Sequence, residues 1–260
     1  MSLTVQIDLK DKVVVVTGAA GGIGRAICAR LAAAGASLLL TDLDQSGLER
    51  AAASLAGVPE TQKASVGSHA ADLGDPKVGH TLVEATLARF GRVDAVVNAG
   101  AVLRRTEFLD VEDAVLSESL NVNLASIFRI CQAAVPVMLK AGTGAFVNFT
   151  SPSAFTGGRV GAVHYGAAKA GVITLTRGLA VQFGSEGIRA NVLCPGTTAT
   201  PMIIGALSDE QLGTHLRGVP MGRLAEPVEI ANGVLFLLSD LASFVNGAVL
   251  TVDGGASLRP

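Results

Sequence analysis

A tyrosine and a lysine four residues apart are the residues of this sequence best suited to acid–base chemistry. Tyr165 and Lys169 lie in the segment HYGAAKAG, and positions i and i+4 share one face of a helix, with Cβ atoms about 5–6 Å apart. A phenol ordinarily titrates near pH ~10, but a neighbouring ammonium favours the phenolate and lowers its pKa. The pair predicts a tyrosine that exchanges a proton with a substrate. An exposed Tyr and Lys without a function is the alternative.

A hydroxyl suited to the same site is found fourteen residues before the tyrosine. Ser151 lies in FTSPS, at the end of a predicted strand. There a hydroxyl can donate to a substrate oxygen as negative charge develops on it. Serine at a strand end is otherwise often only a turn or cap residue, so its role depends on the residues around it.

The first predicted strand is followed by a glycine-rich turn suited to binding phosphate. Gly18, Gly22 and Gly24 lie in TGAAGGIG, directly before a helix predicted to begin near Ile23. Glycines let backbone N–H groups approach a pyrophosphate, which then lies at the positive end of the helix dipole. In a chain with 31 glycines, this spacing alone also fits a tight strand-to-helix turn.

Asp42 ends the next predicted strand, close to the ~20-residue offset at which a carboxylate binds the adenosine ribose. A carboxylate accepts hydrogen bonds from both ribose hydroxyls and repels a 2′-phosphate. The turn and the carboxylate together predict NAD as the cofactor, in preference to NADP. Lys169 would then hold the nicotinamide ribose, and an oxidised nicotinamide would also favour the Tyr165 phenolate.

The elements that must position these residues follow from apolar runs that alternate with alanine-rich stretches. Nearly continuous apolar strands indicate burial on both faces, which is typical of a parallel sheet covered by helices. The expected fold is α/β, a single Rossmann-like doubly wound parallel β-sheet with helices on both faces. Residues 1–260 are expected to form one dinucleotide-binding domain, with a flexible substrate lid around residues 197–223. The predicted strands are Val13–Val16, the region of Leu39, Ala95–Asn98, Ala145–Thr150, Ala190–Leu193 and Ala248–Asp253.

Composition and charge exclude several other classes of protein. With 20 Lys+Arg against 22 Asp+Glu, the formal net charge is -2, so neither nucleic acid nor an acidic membrane is expected as a partner. The one Tyr, nine Phe and no Trp exclude an aromatic-rich recognition surface. The strongly apolar runs are far shorter than the roughly 18 residues of a membrane span.

The N-terminal segment and the cysteines bear on the compartment. The first residues lack the apolar region of a secretion signal. Cys28, Cys131 and Cys194 are widely spaced and fit neither a disulfide framework nor a metal site. We therefore expect a cytoplasmic protein without a bound metal.

These motifs, taken in order, resemble those of the short-chain dehydrogenase/reductase family. The resemblance runs from about Leu9 to Gly255, and the combined order is far more specific than any single motif. It implies an oxidoreductase that transfers a hydride between NAD(H) and a secondary alcohol or ketone, assembled as a homotetramer. The segments that carry it are TGAAGGIG, Asp42, Asp72, NAG at Asn98–Gly100, NVN at Asn121–Asn123, Ser151, YGAAK and PGTTAT at Pro195–Thr200.

The resemblance also implies a role for individual residues. Tyr165 would be the general acid/base, and Ser151 would polarise the carbonyl. Lys169 would lower the pKa of the tyrosine, and Asn123 would hold a water in a proton relay. The implied cofactor-binding residues are Gly18, Gly22, Ile23, Gly24, Asp42, Asp72, Leu73, Asn98, Gly100, Tyr165, Lys169, Pro195, Gly196 and Thr200.

The chain departs from the family pattern next to the catalytic serine. The family usually places its Ser thirteen residues before the Tyr, and here that position is Pro152. Ser151 fits the strand alignment better, which implies one inserted residue in the loop, and Ser153 is the weaker candidate. His164 is expected to be structural, because adjacent residues on a helix point apart.

Two segments bear on the substrate. Arg104 and Arg105 resemble the segment in gluconate and deoxyketogluconate dehydrogenases, where guanidinium groups can bind a substrate carboxylate; two solvated arginines are the alternative. A small polyol, sugar acid or hydroxy acid is therefore expected.

Arg129 favours a different substrate, because it matches a helix Arg that helps 3-oxoacyl-(acyl-carrier-protein) reductases to dock the carrier protein. The second such Arg is replaced by Val181, and Asp42 disfavours the NADPH typical of fatty-acid synthesis.

Two other functions therefore stay open. One is a reductase of β-ketoacyl thioesters, which the helix arginine favours. The other is an NAD-binding regulatory protein without turnover, against which the complete Ser–Tyr–Lys–Asn set argues.

Overall fold

The computed structural model describes residues 7–56, 65–158, 161–200, 204, 212–213 and 216–258. Seven strands within these residues form one parallel sheet in the order β3-β2-β1-β4-β5-β6-β7. They are β1 (Val13–Thr17), β2 (Ser37–Asp42), β3 (Val66–Ala70), β4 (Ala95–Asn98), β5 (Gly144–Phe149), β6 (Ile188–Pro195) and β7 (Val249–Val252).

Helices cover both faces of this sheet. They are α1 (Gly22–Ala33), α2 (Gln45–Ala56), α3 (Val78–Phe90), α4 (Asp113–Leu120), α5 (Ser126–Ala141), α6 (Ser153–Thr156), α7 (Val163–Phe183) and α8 (Pro227–Leu238). A π-helical segment, Asn121–Ala125, joins α4 to α5 without a break, and we call it the π turn.

The helix that runs from Asp113 to Ala141 through the π turn is long and apolar enough to cross a membrane by length and composition. The expectation that every apolar stretch is too short for a span is therefore wrong for this helix. Of the most apolar 18-residue stretch of this helix, 44% is buried inside the protein, and α5 packs against α3. Core helices of soluble proteins have the same length and composition.

The two faces of the sheet bury separate hydrophobic cores, as the doubly wound prediction requires. In β1, Val14 and Val16 contribute to one core and Val15 to the other, because side chains alternate across a strand. The first core is closed by α1, α2 and α8, and the second by α3, α5 and α7. The predicted fold class is confirmed.

One strand was not expected from the sequence. The edge strand β3 has the sequence VGSHA and is partly exposed. It has a single β-branched residue, Val66, and lacks the apolar run that marks a buried strand. Ser151 consequently follows the fifth strand and not the fourth. The strand order reverses between β1 and β4, and ligands of open parallel sheets bind beyond the carboxyl ends of the strands at such a point.

Candidate active site

The glycine-rich turn packs so tightly that neither Gly18 nor Gly24 can carry a side chain. Gly18 has a φ of +69°, and a Cβ there would lie 2.8 Å from the Cα of Gly100. A Cβ on Gly24 would lie 2.0 Å from the carbonyl oxygen of Gly18. Helix α1 begins at Gly22, and the first N–H groups of a helix have no partner within it. The main chain around Ile23 is therefore suited to hold a pyrophosphate, so the turn fits a dinucleotide.

Asp42 lies beside this turn at the end of β2. Its Oδ2 accepts a hydrogen bond from the Ala20 N–H at 3.1 Å, and its Oδ1 accepts one from the Asp44 N–H at 3.2 Å. These bonds hold the carboxylate next to the phosphate-binding turn. Its position and charge fit a dinucleotide ribose.

The loop after β3 approaches the same turn. A Cβ on Gly100 would lie 2.6 Å from Cδ1 of Leu73, so Leu73 packs against the segment that contacts Gly18. Asp72 is exposed, and its Oδ1 accepts a hydrogen bond from the Gly74 N–H at 2.7 Å. We call Asp72–Gly74 the adenine-side loop, since the resemblance implies that Asp72 and Leu73 contact adenine.

Asn98 is buried between the central strands and the second layer of helices. Its Nδ2 donates to Asn148 Oδ1 at 2.8 Å and contacts Cys131 Sγ at 3.7 Å. Asn148 in turn donates to Thr176 Oγ1 at 2.9 Å. The Asn98 side chain therefore ties β4 to β5 and α7, while its Oδ1 has no partner within the described residues.

Tyr165 and Lys169 come together near the carboxyl end of β5. Both lie on α7, and Lys169 Nζ is 5.8 Å from the centre of the Tyr165 ring. Lys169 is buried, and its Nζ donates to the carbonyl oxygen of Phe149 at 2.9 Å. The Ser151 hydroxyl, two residues past the end of β5, is a hydrogen-bonding neighbour of the phenol.

Burial controls the protonation of both groups. It raises the pKa of Tyr165 to about 12; the hydrogen bond with Ser151 acts in the lowering direction and the Cys194 thiol in the raising direction. Burial also lowers the pKa of Lys169 to about 8. The protein's own groups therefore do not give Tyr165 the low pKa expected from its lysine neighbour. Burial outweighs the hydrogen bond with Ser151, and Lys169, with a pKa of about 8, is neutral before such a phenol ionises.

The two candidate serines have different surroundings. Ser151 interacts with the phenol of Tyr165, whereas Ser153 begins α6 and donates its main-chain N–H to Ser151 Oγ at 3.2 Å. This geometry favours Ser151 as the group that faces a substrate oxygen.

The side chain of Asn123 is occupied by one residue of the loop after β4. Its Oδ1 accepts from the Val102 N–H, and its Nδ2 donates to the Val102 carbonyl oxygen, both at 2.9 Å. Asn123 is fully buried within the π turn. The side-chain amide of Asn123 is therefore already occupied within the protein, which does not favour the water-holding role that the resemblance implies for it.

The segment Val102–Thr106, which we call the strap, is also attached to the start of α7. The buried His164 side chain contacts the Arg104 carbonyl oxygen through Nε2 at 3.0 Å. Because a carbonyl oxygen only accepts, Nε2 is the donor. The Thr106 N–H donates to the carbonyl oxygen of Gly161, also at 3.0 Å. The strap thus runs from Asn123 to the helix that carries Tyr165.

The two arginines of the strap differ. Arg104 forms a two-contact ion pair with Glu118 of α4, with Nη2 to Oε1 at 2.9 Å. Arg105 is exposed and makes no hydrogen bond or ion pair within the part of the chain that the structure describes.

The last predicted cofactor segment lies at the end of β6. The Gly196 N–H donates to the Val252 carbonyl oxygen at 2.8 Å, and a Cβ on Gly196 would lie 2.6 Å from the Asp253 Cα. Pro195 ends the strand, and Thr200 follows at the edge of the described segment.

The predicted lid, residues 197–223, falls partly outside the described residues, which omit 201–203, 205–211 and 214–215. No group of three possible metal ligands occurs among the residues that are described.

Sequence reasoning missed the contacts between residues that are distant in the chain. No sequence motif marks the ion pair of Arg104 with Glu118, the hydrogen bond of His164 to the strap, or the hydrogen bonds of Asn123 with Val102. An asparagine whose two amide atoms both fit main-chain groups can be recognised only once the loop has been placed.

Comparison with known proteins places the chain among oxidoreductases. Residues 18–257 match the family model described as Enoyl-(Acyl carrier protein) reductase. The chain is 36% identical to D-threitol dehydrogenase of Mycolicibacterium smegmatis over 261 residues, which cover 100% of this chain and 98% of that protein. It is 33% identical to 3-oxoacyl-(acyl-carrier-protein) reductase FabG of Thermotoga maritima over 247 residues, covering 95% and 98%.

A solved structure gives the same result. The crystal structure of a short-chain dehydrogenase/reductase of the glucose/ribitol dehydrogenase type from Brucella melitensis superimposes with a TM-score of 0.87 at 33% sequence identity. The match covers 97% of this chain and 99% of the other.

Proposed function

The chain belongs to the short-chain dehydrogenase/reductase family of oxidoreductases that act on alcohols and ketones, and from this membership we propose a more specific reaction. The protein transfers a hydride between NAD(H) and a secondary alcohol or ketone of a small polyol, sugar acid or hydroxy acid. The observation that carries the proposal is the meeting of Tyr165, Lys169 and Ser151 at the end of β5, next to the point where the strand order reverses.

Each of these side chains has one task. Tyr165 gives a proton to the substrate oxygen during reduction and takes it back during alcohol oxidation. The Ser151 hydroxyl donates to the same oxygen as charge develops on it. A nicotinamide, when bound, supplies or accepts the hydride and carries a positive charge in its oxidised form. Lys169, fixed to the Phe149 carbonyl, holds the nicotinamide ribose.

Asp42 supports NAD as the preferred cofactor. Its carboxylate lies beside the glycine turn and already accepts two main-chain hydrogen bonds. A 2′-phosphate next to this fixed negative charge would be repelled, whereas the two ribose hydroxyls of NAD can donate to it.

The strap supports a substrate that carries a carboxylate or several hydroxyls. Arg104 is occupied by Glu118, so Arg105 is the strap guanidinium available to a substrate carboxylate. The relatives named for threitol and for glucose/ribitol favour a polyol or sugar derivative.

Reduction of β-ketoacyl thioesters is the second candidate function. The similarity to the FabG reductase of Thermotoga maritima favours it. However, Arg129 donates to Asn121 Oδ1 at 2.7 Å within the chain, and Val181, at the position of the second carrier-docking arginine, is 86% exposed and apolar. Both features weaken an acidic carrier as the partner.

We also propose a cytoplasmic homotetramer. Phe128 on α5 and Val181 on α7 are exposed apolar side chains on the long helices before and after Ser151, and β7 forms an edge of the sheet. The three cysteines are buried and free, in keeping with a reducing compartment. A monomer in light scattering at micromolar concentration would contradict the tetramer.

The test of the reaction is a screen of polyols, sugar acids, hydroxy acids and β-ketoacyl thioesters, each with NAD(H) and with NADP(H). The proposal predicts turnover with NAD(H) and a member of the first three classes. Turnover restricted to thioesters with NADPH would establish the second candidate. Any turnover at all excludes a non-catalytic NAD-binding protein.

A further inference from the structure

A short hydrogen-bonded chain connects α5 to the adenine-side loop through Asn121. Arg129 Nη1 donates to Asn121 Oδ1 at 2.7 Å, and Asn121 Nδ2 donates to the Gly74 carbonyl oxygen at 2.8 Å. The Gly74 N–H in turn donates to Asp72 Oδ1 at 2.7 Å. The orientation of the amide is unambiguous, because a guanidinium only donates and a carbonyl only accepts.

Asn121 is also the first residue of the π turn, two positions before Asn123. Asn123 holds Val102 of the strap from the same turn. One five-residue segment therefore attaches to the loop on the cofactor side and to the loop on the substrate side. If either loop moved relative to the π turn, its own hydrogen bonds to the turn would break. The bonds at the other end of the turn could not replace them.

We propose that Asn121 is a positioning residue that fixes the adenine-side loop relative to the π turn. The inference rests on the proposed NAD site, since the loop matters only if Asp72 and Leu73 meet the adenine. Asn121 acts through Gly74, so it is not itself a catalytic residue. Its effect is confined to cofactor binding, and the proton transfer at Tyr165 does not depend on it.

The sharpest test is Asn121→Asp, which keeps the shape and the acceptor for Arg129 but removes the donor to Gly74. We expect the dissociation constant of NADH, measured by its fluorescence, to rise about fivefold because one hydrogen bond is lost. ADP-ribose, which has no nicotinamide, should lose affinity by the same factor in competition. The turnover number at saturating cofactor should stay within about twofold of the parent value, since hydride and proton transfer use other groups.

Asn246→Asp is the matched control. Like Asn121, Asn246 donates to one main-chain carbonyl, that of Ala180 at 3.0 Å, while its Oδ1 accepts from the main-chain N–H of Ala190 at 2.9 Å in place of a guanidinium. This variant removes the same kind of bond away from the cofactor-binding residues. The proposal predicts unchanged NADH affinity for it.

Arg129→Met removes the other end of the chain and provides a second variant if Asn121→Asp does not fold. A twofold to threefold rise in the NADH dissociation constant is expected, because Asn121 then loses the donor that orients its amide. An Arg129 that serves only to dock an acidic carrier would leave NADH binding unchanged, and that result would overturn the proposal.

Two further outcomes separate this inference from the proposed function. If the parent protein fails to bind NADH, the proposed function fails and the positioning role falls with it. If the parent binds NADH while Asn121→Asp binds it equally well, or Asn246→Asp loses as much affinity, only the positioning role is overturned.

Discussion

The proposed cofactor side of the site, around the glycine-rich turn, and its proposed substrate side, at the strap, are built by different means. On the cofactor side the contacts come from main-chain groups around Gly18 and Gly24, together with the Asp42 carboxylate. On the substrate side the strap is held by side chains, through Asn123, His164 and the ion pair of Arg104. The first side tolerates few changes at its glycines. The second can be altered one side chain at a time.

This difference separates binding of a common cofactor from selection of a particular substrate. The glycine turn presents N–H groups that recognise any pyrophosphate, so its chemistry does not depend on the reaction. The strap carries exposed side chains such as Arg105, and a substitution there can change what is recognised without disturbing the sheet. Tyr165 and Lys169 lie where the two sides meet.

The largest effect is expected from Tyr165→Phe, which removes the proton donor and disturbs neither side. Loss of general acid–base catalysis predicts a fall in turnover number of about 10³-fold. NADH affinity should stay within about twofold, since the ring remains. Steady-state rates and NADH fluorescence titration give the two values. A variant with more than a tenth of the parent activity would remove Tyr165 from the mechanism.

Lys169→Met should lose turnover as well, though less than Tyr165→Phe, and yet be more stable at neutral pH. Burial lowers the Lys169 pKa to about 8 from 10.5, so holding this ammonium inside the protein costs about 3 kcal/mol at pH 7. Between pH 8 and 10.5 the unfolded chain binds a proton that the folded protein has released. The unfolding free energy of the parent protein therefore rises with pH through that window.

Denaturant unfolding at pH 7.5 and pH 10 tests this sign. The stability advantage of Lys169→Met should shrink at the higher pH. The exposed Lys140 provides the control, and Lys140→Met should show no such change. An advantage independent of pH would mean that Lys169 is not buried as an ammonium.

Gly24→Ala tests how strictly the cofactor side depends on its main chain. The added Cβ would lie 2.0 Å from the Gly18 carbonyl oxygen, so the turn must shift. Because the main-chain N–H groups that bind the pyrophosphate move with it, NADH affinity should fall at least about tenfold. Gly178→Ala on α7 is the control, because nothing lies within 4 Å of its added Cβ. It should keep NADH affinity and gain about 0.5–1 kcal/mol of stability.

Asp42→Ala is expected to change cofactor choice more than cofactor affinity. Loss of the carboxylate removes charged hydrogen bonds to the ribose and the repulsion of a 2′-phosphate, so the NAD-over-NADP ratio of kcat/KM should fall about tenfold. Asp44→Ala serves as control, because the Asp44 carboxylate bonds Ser46 and Arg50 instead. An unchanged ratio in Asp42→Ala would refute the assignment of NAD preference to this residue.

The smallest effect is expected on the substrate side, from His164→Phe. Loss of the hydrogen bond to the Arg104 carbonyl should loosen the strap and raise the substrate KM about threefold to fivefold, with a turnover number changed less than twofold. His164→Gln retains an N–H donor and should recover most of the affinity. A fall in turnover number with an unchanged KM would show that His164 affects Tyr165 and not the strap.

The geometry of the glycine-rich turn and of the Tyr165–Lys169 pair could be predicted from the sequence, because each depends on residues that are close together in the chain. The Gly18–Gly24 turn, the Asp42 offset and the helical spacing of Tyr165 and Lys169 all depend on local geometry. Strand β3 was missed because its small and polar residues carry no pattern of burial.

The substrate side could not be predicted, since its contacts join distant residues. His164 and Arg104 are 60 positions apart, and Asn123 and Val102 are 21 apart. Arg104 and Arg105 look equivalent in the sequence, and only the placement of Glu118 distinguishes them. The pKa of Tyr165 depends on burial as well as on its neighbours, and the helical spacing alone says nothing about burial.

Ultraviolet titration of tyrosinate with and without NAD tests directly whether Tyr165 is the acid–base group of an NAD-dependent reaction. The chain has one Tyr and no Trp, so the signal reports Tyr165 alone. We expect the phenol to ionise near the pKa of about 12 that burial gives it. Saturating NAD should shift this ionisation clearly to lower pH, because the positive charge of the oxidised nicotinamide favours the phenolate. A titration that NAD leaves unchanged would contradict Tyr165 as the acid–base group of an NAD-dependent reaction.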